Sequence, residues 1–415
     1  LAARAGPDEK KEQLGMVERS TPLPQAEPLA PHSDDPGAAS GELAKPAIGG
    51  RNAARQRSTK QAGHGPGNAT HGRMADRSNW NARRAYAAID LGTNNCRLLI
   101  AKPAADGFVV VDAFSRVVRL GEGLGQTGRL SDAAMDRAVA ALSICADKLR
   151  RRHVALARSV ATEACRKASN GPDFIERVRR ETGIVLDIIT AEEEARLAVL
   201  GCHILLEPGD GPALIFDIGG GSTELVLVDS SGPVPDILDW MSVPWGVVTL
   251  TESESFDPED AQARDAAYRR MRARVVESFA PFARRLPQLA DDDRRLLGTS
   301  GTVTTLASLH LDLPCYNRDA IDGLIVPSES MRAISTRLAG LSLQQRRELP
   351  CIGKERADLV VAGCAILESI LDIWPAVRLG VADRGIREGI LRALMGRDAP
   401  LPSSPTAQAQ HGSRT

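Results

Sequence analysis

The stretch Leu214-Ile215-Phe216-Asp217-Ile218-Gly219-Gly220-Gly221-Ser222-Thr223-Glu224-Leu225-Val226-Leu227-Val228 decides the reading of this chain, because it has a near twin. Ala87-Ala88-Ile89-Asp90-Leu91-Gly92-Thr93-Asn94-Asn95 runs in the same way into Leu98-Leu99-Ile100. Each copy ends a buried strand on Asp-x-Gly, passes a short polar turn and returns in a second apolar run, which reads as strand, tight turn, strand. Glycine and small hydroxyl or amide residues leave consecutive backbone N–H groups free to converge on an anion. The Asp at the strand end suits a hydrated divalent cation. One such turn fits a phosphate; two on a duplicated scaffold fit a chain of them.

Outward from these hairpins the pattern alternates strand and helix. A third strand is expected near Phe108–Val111. Ser131 opens a helix whose Met135, Val139, Leu142, Cys145 and Leu149 share one face. A strand at 155–161, a helix at 173–181, a strand at 184–189 and a helix from Ala191 follow. The second hairpin restarts the scheme, with strands near Val243, 295–297 and 377–381. This is a duplicated α/β architecture. Residues 1–84 are rich in Pro, Gly, Ala, Ser and charge without a sustained period and read as a disordered tail, as do 398–415. The ordered domains are expected at 85–203 and 204–397.

At 415 residues the chain exceeds a single core, and its hydrophobic content of 43% is ample for two. Its 3% aromatic content argues against base-stacking platforms, and its net charge of −1 provides no global pull on nucleic acid or anionic membrane. No nucleic-acid partner is therefore expected, and any polyanion must be held by a local site. Seven cysteines without a C-x-x-C pair read as reduced core residues of a cytoplasmic protein. No histidine has a partner at metal-ligand spacing, and no apolar run approaches the roughly 18 residues of a membrane span.

Four further segments carry candidate chemistry. Glu192-Glu193-Glu194 opens a helix directly after a strand. Three acids there suit the helix dipole, and at a strand's carboxyl end one of them also suits deprotonation of a water. Arg166, just after another strand, suits bidentate pairing with phosphate oxygens or a plain solvated helix start. Gly298-Thr299-Ser300-Gly301-Thr302 feeds a helix N-terminus and reads as an anion nest or an ordinary connection. Arg387, after the last strand, is structural or faces the cleft. Gly123-Leu124-Gly125-Gln126-Thr127-Gly128 has the dinucleotide spacing but precedes its helix, so it reads as a glycine-rich loop.

Taken together, the Asp90 loop, Glu193-Glu194-Ala195-Arg196-Leu197, the Asp217 loop and Gly298–Thr302 resemble the exopolyphosphatase and guanosine pentaphosphate phosphohydrolase (Ppx/GppA) family. The resemblance runs from about Tyr86 to Arg397. It implies two duplicated actin-like (ribonuclease H-like) α/β domains with a phosphate-binding cleft between them, in the short two-domain form. It assigns Glu194 as general base with Glu193 beside it, and Arg166 near the terminal phosphates. Asp217, Glu224 and Asp90 become the magnesium-associated acids. Asp90, Gly92, Thr93 and Asn94 form one phosphate loop, Gly219, Gly220, Gly221 and Ser222 the other, with Gly298, Ser300, Gly301 and Thr302 as a third phosphate-binding segment. Asn95 stands where the family usually has Ser, and Thr190-Ala191 where Ser-Gly is usual. The implied substrate is inorganic polyphosphate or guanosine pentaphosphate, the cofactor Mg²⁺, and the assembly a homodimer. A kinase of the same superfamily and a non-catalytic polyphosphate or nucleotide sensor are the rival readings.

Overall fold

The computed structural model describes residues 84–398 except 106, 233, 291 and 292. Apart from their innermost residues, the expected tails at 1–84 and 398–415 lie outside the described residues. Eleven strands are defined: β1 (Ala85–Leu91), β2 (Asn95–Ala104), β3 (Gly107–Val117), β4 (Val154–Ala161), β5 (Asp187–Ile188), β6 (Pro212–Ile218), β7 (Thr223–Asp229), β8 (Asp236–Val243), β9 (Arg295–Thr299), β10 (Ile325–Pro327) and β11 (Arg378–Ala382).

The two sheets share one plan. The first has the order β3-β2-β1-β4-β5, and the second, β8-β7-β6-β9-β11-β10, repeats it with one strand added. In each, an antiparallel hairpin is flanked by a parallel neighbour: β1 pairs with β4 as β6 pairs with β9. The duplicated α/β architecture is thus observed. Both central strands are buried almost throughout, as expected for strands covered on two faces.

Helices form where the caps and periodicity place them. The Ser131 side chain accepts from Ala134 N and opens Asp132–Arg151, and Thr190 accepts from Glu193 N and opens Ala191–Cys202. Two expectations are revised. The 184–189 strand is laddered only over Asp187–Ile188, although Ile184, Leu186 and Ile189 are buried. The glycine-rich loop contains one turn of helix, Leu124–Thr127, bracketed by left-handed Gly123 and Gly128.

Each sheet has its own core. The first gathers Ile89, Leu98, Ile100, Leu142 and Phe174, and the second Leu214, Phe216, Phe279, Leu306 and Ile370. Helix Ile386–Asp398 returns to the first sheet, where Ile390, Leu391 and Leu394 pack with Tyr86, Ala88 and Leu99. It crosses Ala191–Cys202 so closely that a Cβ on Gly201 would lie 1.9 Å from Gly385 O, and one on Gly389 2.0 Å from Leu197 O. The carbonyl ends of β1 and β6 therefore face one cleft with little slack. Five cysteines are buried, Cys351 is half-buried and Cys315 exposed, and all seven are free thiols. Among the described residues no helix is long and apolar enough to cross a membrane.

Candidate active site

The two Asp-x-Gly turns close identically. Gly92 N donates to Asn95 O and Gly219 N to Ser222 O, both at 2.9 Å. Neighbouring segments tie down the outward carbonyls. Val118 N and Arg119 N donate to Asn94 O, and Gly121 N donates to Thr93 O; on the second turn Val247 N and Val248 N donate to Gly219 O and Gly220 O. Arg119 takes up a left-handed φ of 46° to do this. Its guanidinium reaches across the cleft to Asp358 at 3.0 Å and to Glu355 O at 3.2 Å.

The turns converge on a cleft lined by Asp90, Gly92, Thr93 and Asn94 from the first, Asp217, Gly219, Gly220, Gly221 and Ser222 from the second, and Ser300, Gly301 and Thr302 at a helix start. They touch: a Cβ on Gly220 would come 2.9 Å from Thr93 Cβ, and one on Gly221 2.6 Å from Thr93 Oγ1. Ser300 caps the helix Gly301–His310 by accepting from Val303 N. Asp90 Oδ1, Thr93 Oγ1, Asn94 Oδ1 and Asn95 Oδ1 are buried without a hydrogen-bond partner. Orphaned polar atoms in one turn mark a place where a ligand completes the structure.

Glu163, also in the cleft wall, is tied to two residues that do not line it, Arg166 and Glu194. Arg166 donates to Glu194 Oε2 at 3.1 Å, to Glu163 Oε2 from two nitrogens at 3.1 and 2.5 Å, and to Ile189 O at 2.7 Å. Glu194 is only 7% exposed. Its carboxyl is held well above the ordinary range by burial and by Glu224, against the opposing pull of Arg166. Arg166 remains charged despite burial because Glu194 and Glu163 surround it.

The cross-strand register gives the two hairpins different electrostatics. Asp90 faces Arg97, whereas Asp217 faces Glu224. Like charges opposed across a ladder repel. Burial and nearby Glu194 push Asp217 up to about 7, and burial and Asp217 push Glu224 to about 7, although Ser242 Oγ donates to Glu224 Oε1 at 2.8 Å. Asp90 is raised by burial, with Arg97 and Arg387 opposing. Arg97 and Arg356 line the same space, and Arg387 lies near Asp90 without lining it. Burial and the Arg97 charge lower Arg356, and burial lowers Arg387, with Arg97 adding to the effect.

Several expected residues stand elsewhere. Glu193 turns aside to Arg158, at 2.7 Å. Glu224, opposite Asp217 on the neighbouring strand, is buried and does not line the cleft. Gly298 is the penultimate residue of β9, not part of a nest; a Cβ there would fall 2.4 Å from the Phe216 ring. Among the described residues no group of three or more acidic, His or Cys side chains is arranged to hold a metal ion by itself. Asp217 and the orphaned Asp90 Oδ1 still fit Mg²⁺, which takes one or two carboxylates and fills its octahedron with water and phosphate oxygens.

Sequence reasoning missed Glu163, Arg97 and Arg356, all in the cleft wall. Glu163 lies inside the segment singled out for Arg166, and Arg97 follows from the hairpin register opposite Asp90. Arg356 comes from an aperiodic loop, where no local signal marks it.

Comparison with known proteins returns one theme. The model of the Ppx/GppA phosphatase family matches residues 99–398. The chain is 33% identical over 325 residues to a Mycobacterium tuberculosis protein named exopolyphosphatase 2, covering 75% of this chain and 98% of that one. It is 29% identical over 318 residues to an Aeromonas salmonicida protein named guanosine-5′-triphosphate,3′-diphosphate pyrophosphatase, covering 75% of this chain and 60% of that one. The crystal structure of an Aquifex aeolicus Ppx/GppA family member matches with a TM-score of 0.63 and 27% identity, over 77% of this chain and 99% of that one.

Proposed function

Because this chain belongs to the Ppx/GppA phosphatase family, we propose that it is a magnesium-dependent phosphohydrolase that releases terminal orthophosphate from inorganic polyphosphate or from the 5′ end of guanosine pentaphosphate. The observation that carries this reading is the meeting of the two turns in a cleft also lined by Glu163, which Arg166 ties to the buried Glu194, whose carboxyl is held well above its ordinary range.

The backbone N–H groups of both turns and of the helix start at Gly301 hold phosphate oxygens, with Arg97 and Arg356 as counter-charge. The entering terminal phosphate competes with Glu163 and Glu194 for the Arg166 guanidinium. Glu194 then orients a water and takes its proton as the water oxygen attacks phosphorus and the anhydride P–O bond breaks, the shortened phosphate leaving as an anion. Asp217 and Asp90 would hold Mg²⁺, which would supply neutralising charge for the phosphoryl oxygens.

The test is phosphate release with Mg²⁺ from long-chain polyphosphate, tripolyphosphate, guanosine pentaphosphate and ATP. Release that disappears in Glu194→Gln supports the reading and names the substrate. Tight binding without release by the wild-type chain overturns it.

A further inference from the structure

Outside the cleft runs a second depression between the end of β3 and the segment 352–356, lined among others by Asn95, Ser115, Arg116, Lys354, Glu355 and Arg356. It opens from the cleft itself, since Asn95 and Arg356 line both. Neither Glu163 nor any residue of the second turn borders it, so the reacting end of the substrate lies away from it.

Its charge is unbalanced. Arg116, Lys354 and Arg356 face a single carboxylate, Glu355. Nearby cations are engaged: Arg119 pairs with Asp358, Arg137 with Glu122, and Lys148 and Arg152 share Asp112 on β3. Among the described residues no ion pair involves Arg116, Lys354 or Arg356. Arg116 packs its guanidinium 5.5 Å over the Phe114 ring, a cation–π contact that holds it at the groove without a neutralising carboxylate. At the junction, Asn95 Oδ1 is buried without a partner.

We propose that this groove binds the phosphates of the substrate beyond the hydrolysed end, with Arg116 and Lys354 as their cationic partners. This rests on the phosphohydrolase reading. The shared chemistry is a run of phosphate oxygens, supplied either by the continuing chain of a polyphosphate or by the 3′-diphosphate of guanosine pentaphosphate. Arg116 and Lys354 therefore select substrates by what extends past the cleft and leave the cleaved anhydride to the residues inside it.

The experiment measures binding by calorimetry and phosphate release in parallel, on the full chain and its Arg116→Ala, Lys354→Ala and double variants, using tripolyphosphate, long-chain polyphosphate and guanosine pentaphosphate. The double variant is expected to bind the long chain about tenfold more weakly, and its slope of log affinity against log salt falls by roughly 0.7 for each phosphate charge it no longer neutralises. Tripolyphosphate affinity and kcat stay at the wild-type level, and Arg116→Lys recovers most of the binding. Weakening confined to guanosine pentaphosphate assigns the groove to the 3′-diphosphate. Equal weakening on tripolyphosphate and both longer ligands, or unchanged binding of all three, overturns the proposal. Length-dependent binding that disappears in the double variant, without phosphate release by the wild type, upholds the groove and refutes the hydrolase.

Discussion

The two halves of the molecule share a strand order and an identical turn, yet they put different chemistry at it. In the first, Asp90 lies opposite Arg97, the turn carries Thr93, Asn94 and Asn95, and Glu163 lines the cleft beside it, tied through Arg166 to Glu194. In the second, Asp217 lies opposite Glu224, the turn is three glycines, and its contribution is backbone. A duplicated scaffold delivers two superposable frames. One half has filled its frame with ionisable side chains, and the other has emptied its frame so that the halves can touch.

Changes at Glu194 should produce the largest effect. Glu194→Gln keeps the shape and removes the base, and turnover is expected to fall by roughly 10²–10⁴ while substrate affinity stays near wild type; a kinetic and calorimetric comparison checks both. A fall of that size from Glu193→Gln instead would move the chemistry to the Arg158 side.

Next comes the division between the turns themselves. Gly220→Ala or Gly221→Ala places a methyl against Thr93 and holds the halves apart, and a misplacement of about 1 Å costs on the order of 100-fold in kcat. Gly92→Ala meets only Asn95 O at 3.6 Å and should change kcat less than about threefold. Equal effects at the two turns would erase the asymmetry.

The like-charge pair predicts a pH signature. Asp217 and Glu224 have folded values near 7, above their ordinary ones, so the folded state holds their protons longer than the unfolded chain does. Their contribution to stability is fully present below about pH 4 and is lost as pH rises through 7. In differential scanning calorimetry without divalent cations, Asp217→Asn should flatten this fall and raise Tm by roughly 3–6 °C at pH 8. Mg²⁺ should raise the Tm of the wild-type chain there and leave the variant unmoved. The same rise in both would remove Asp217 from the cation site.

The smallest effect expected is at Arg119, whose strained backbone supports the first turn while its side chain reaches the other half. Arg119→Gly relieves the backbone and cuts the bridge, so stability should change little while KM rises about two- to fivefold. Arg119→Ala, which retains the strain, should cost more stability for a similar KM.

What could be read from the sequence follows from how local each signal is. The hairpins, the Ser131 and Thr190 caps and the placement of Glu194 at a strand-to-helix junction are written in adjacent residues. Gly298 misleads because a glycine before Thr-Ser-Gly looks like a nest, whereas its cause is the ring of Phe216 on the neighbouring strand. The resemblance suggests a metal for Glu224, and the register does put it opposite Asp217 on the same face, but it is buried and does not line the cleft. Residues 184–187 alternate buried and exposed, but Asp187 and Ile188 are both exposed and are the only laddered residues there, since burial pattern and hydrogen-bonded pairing are separate requirements.

The return of helix Ile386–Asp398 onto the first sheet has a consequence for how the chain is made. Tyr86, Ala88 and Leu99 leave the ribosome roughly 300 residues ahead of Ile390, Leu391 and Leu394, which cover them. The half that is translated first is thus the last to be finished. Until then it presents an uncovered apolar sheet face that a chaperone, or another nascent copy, can reach before its own helix does.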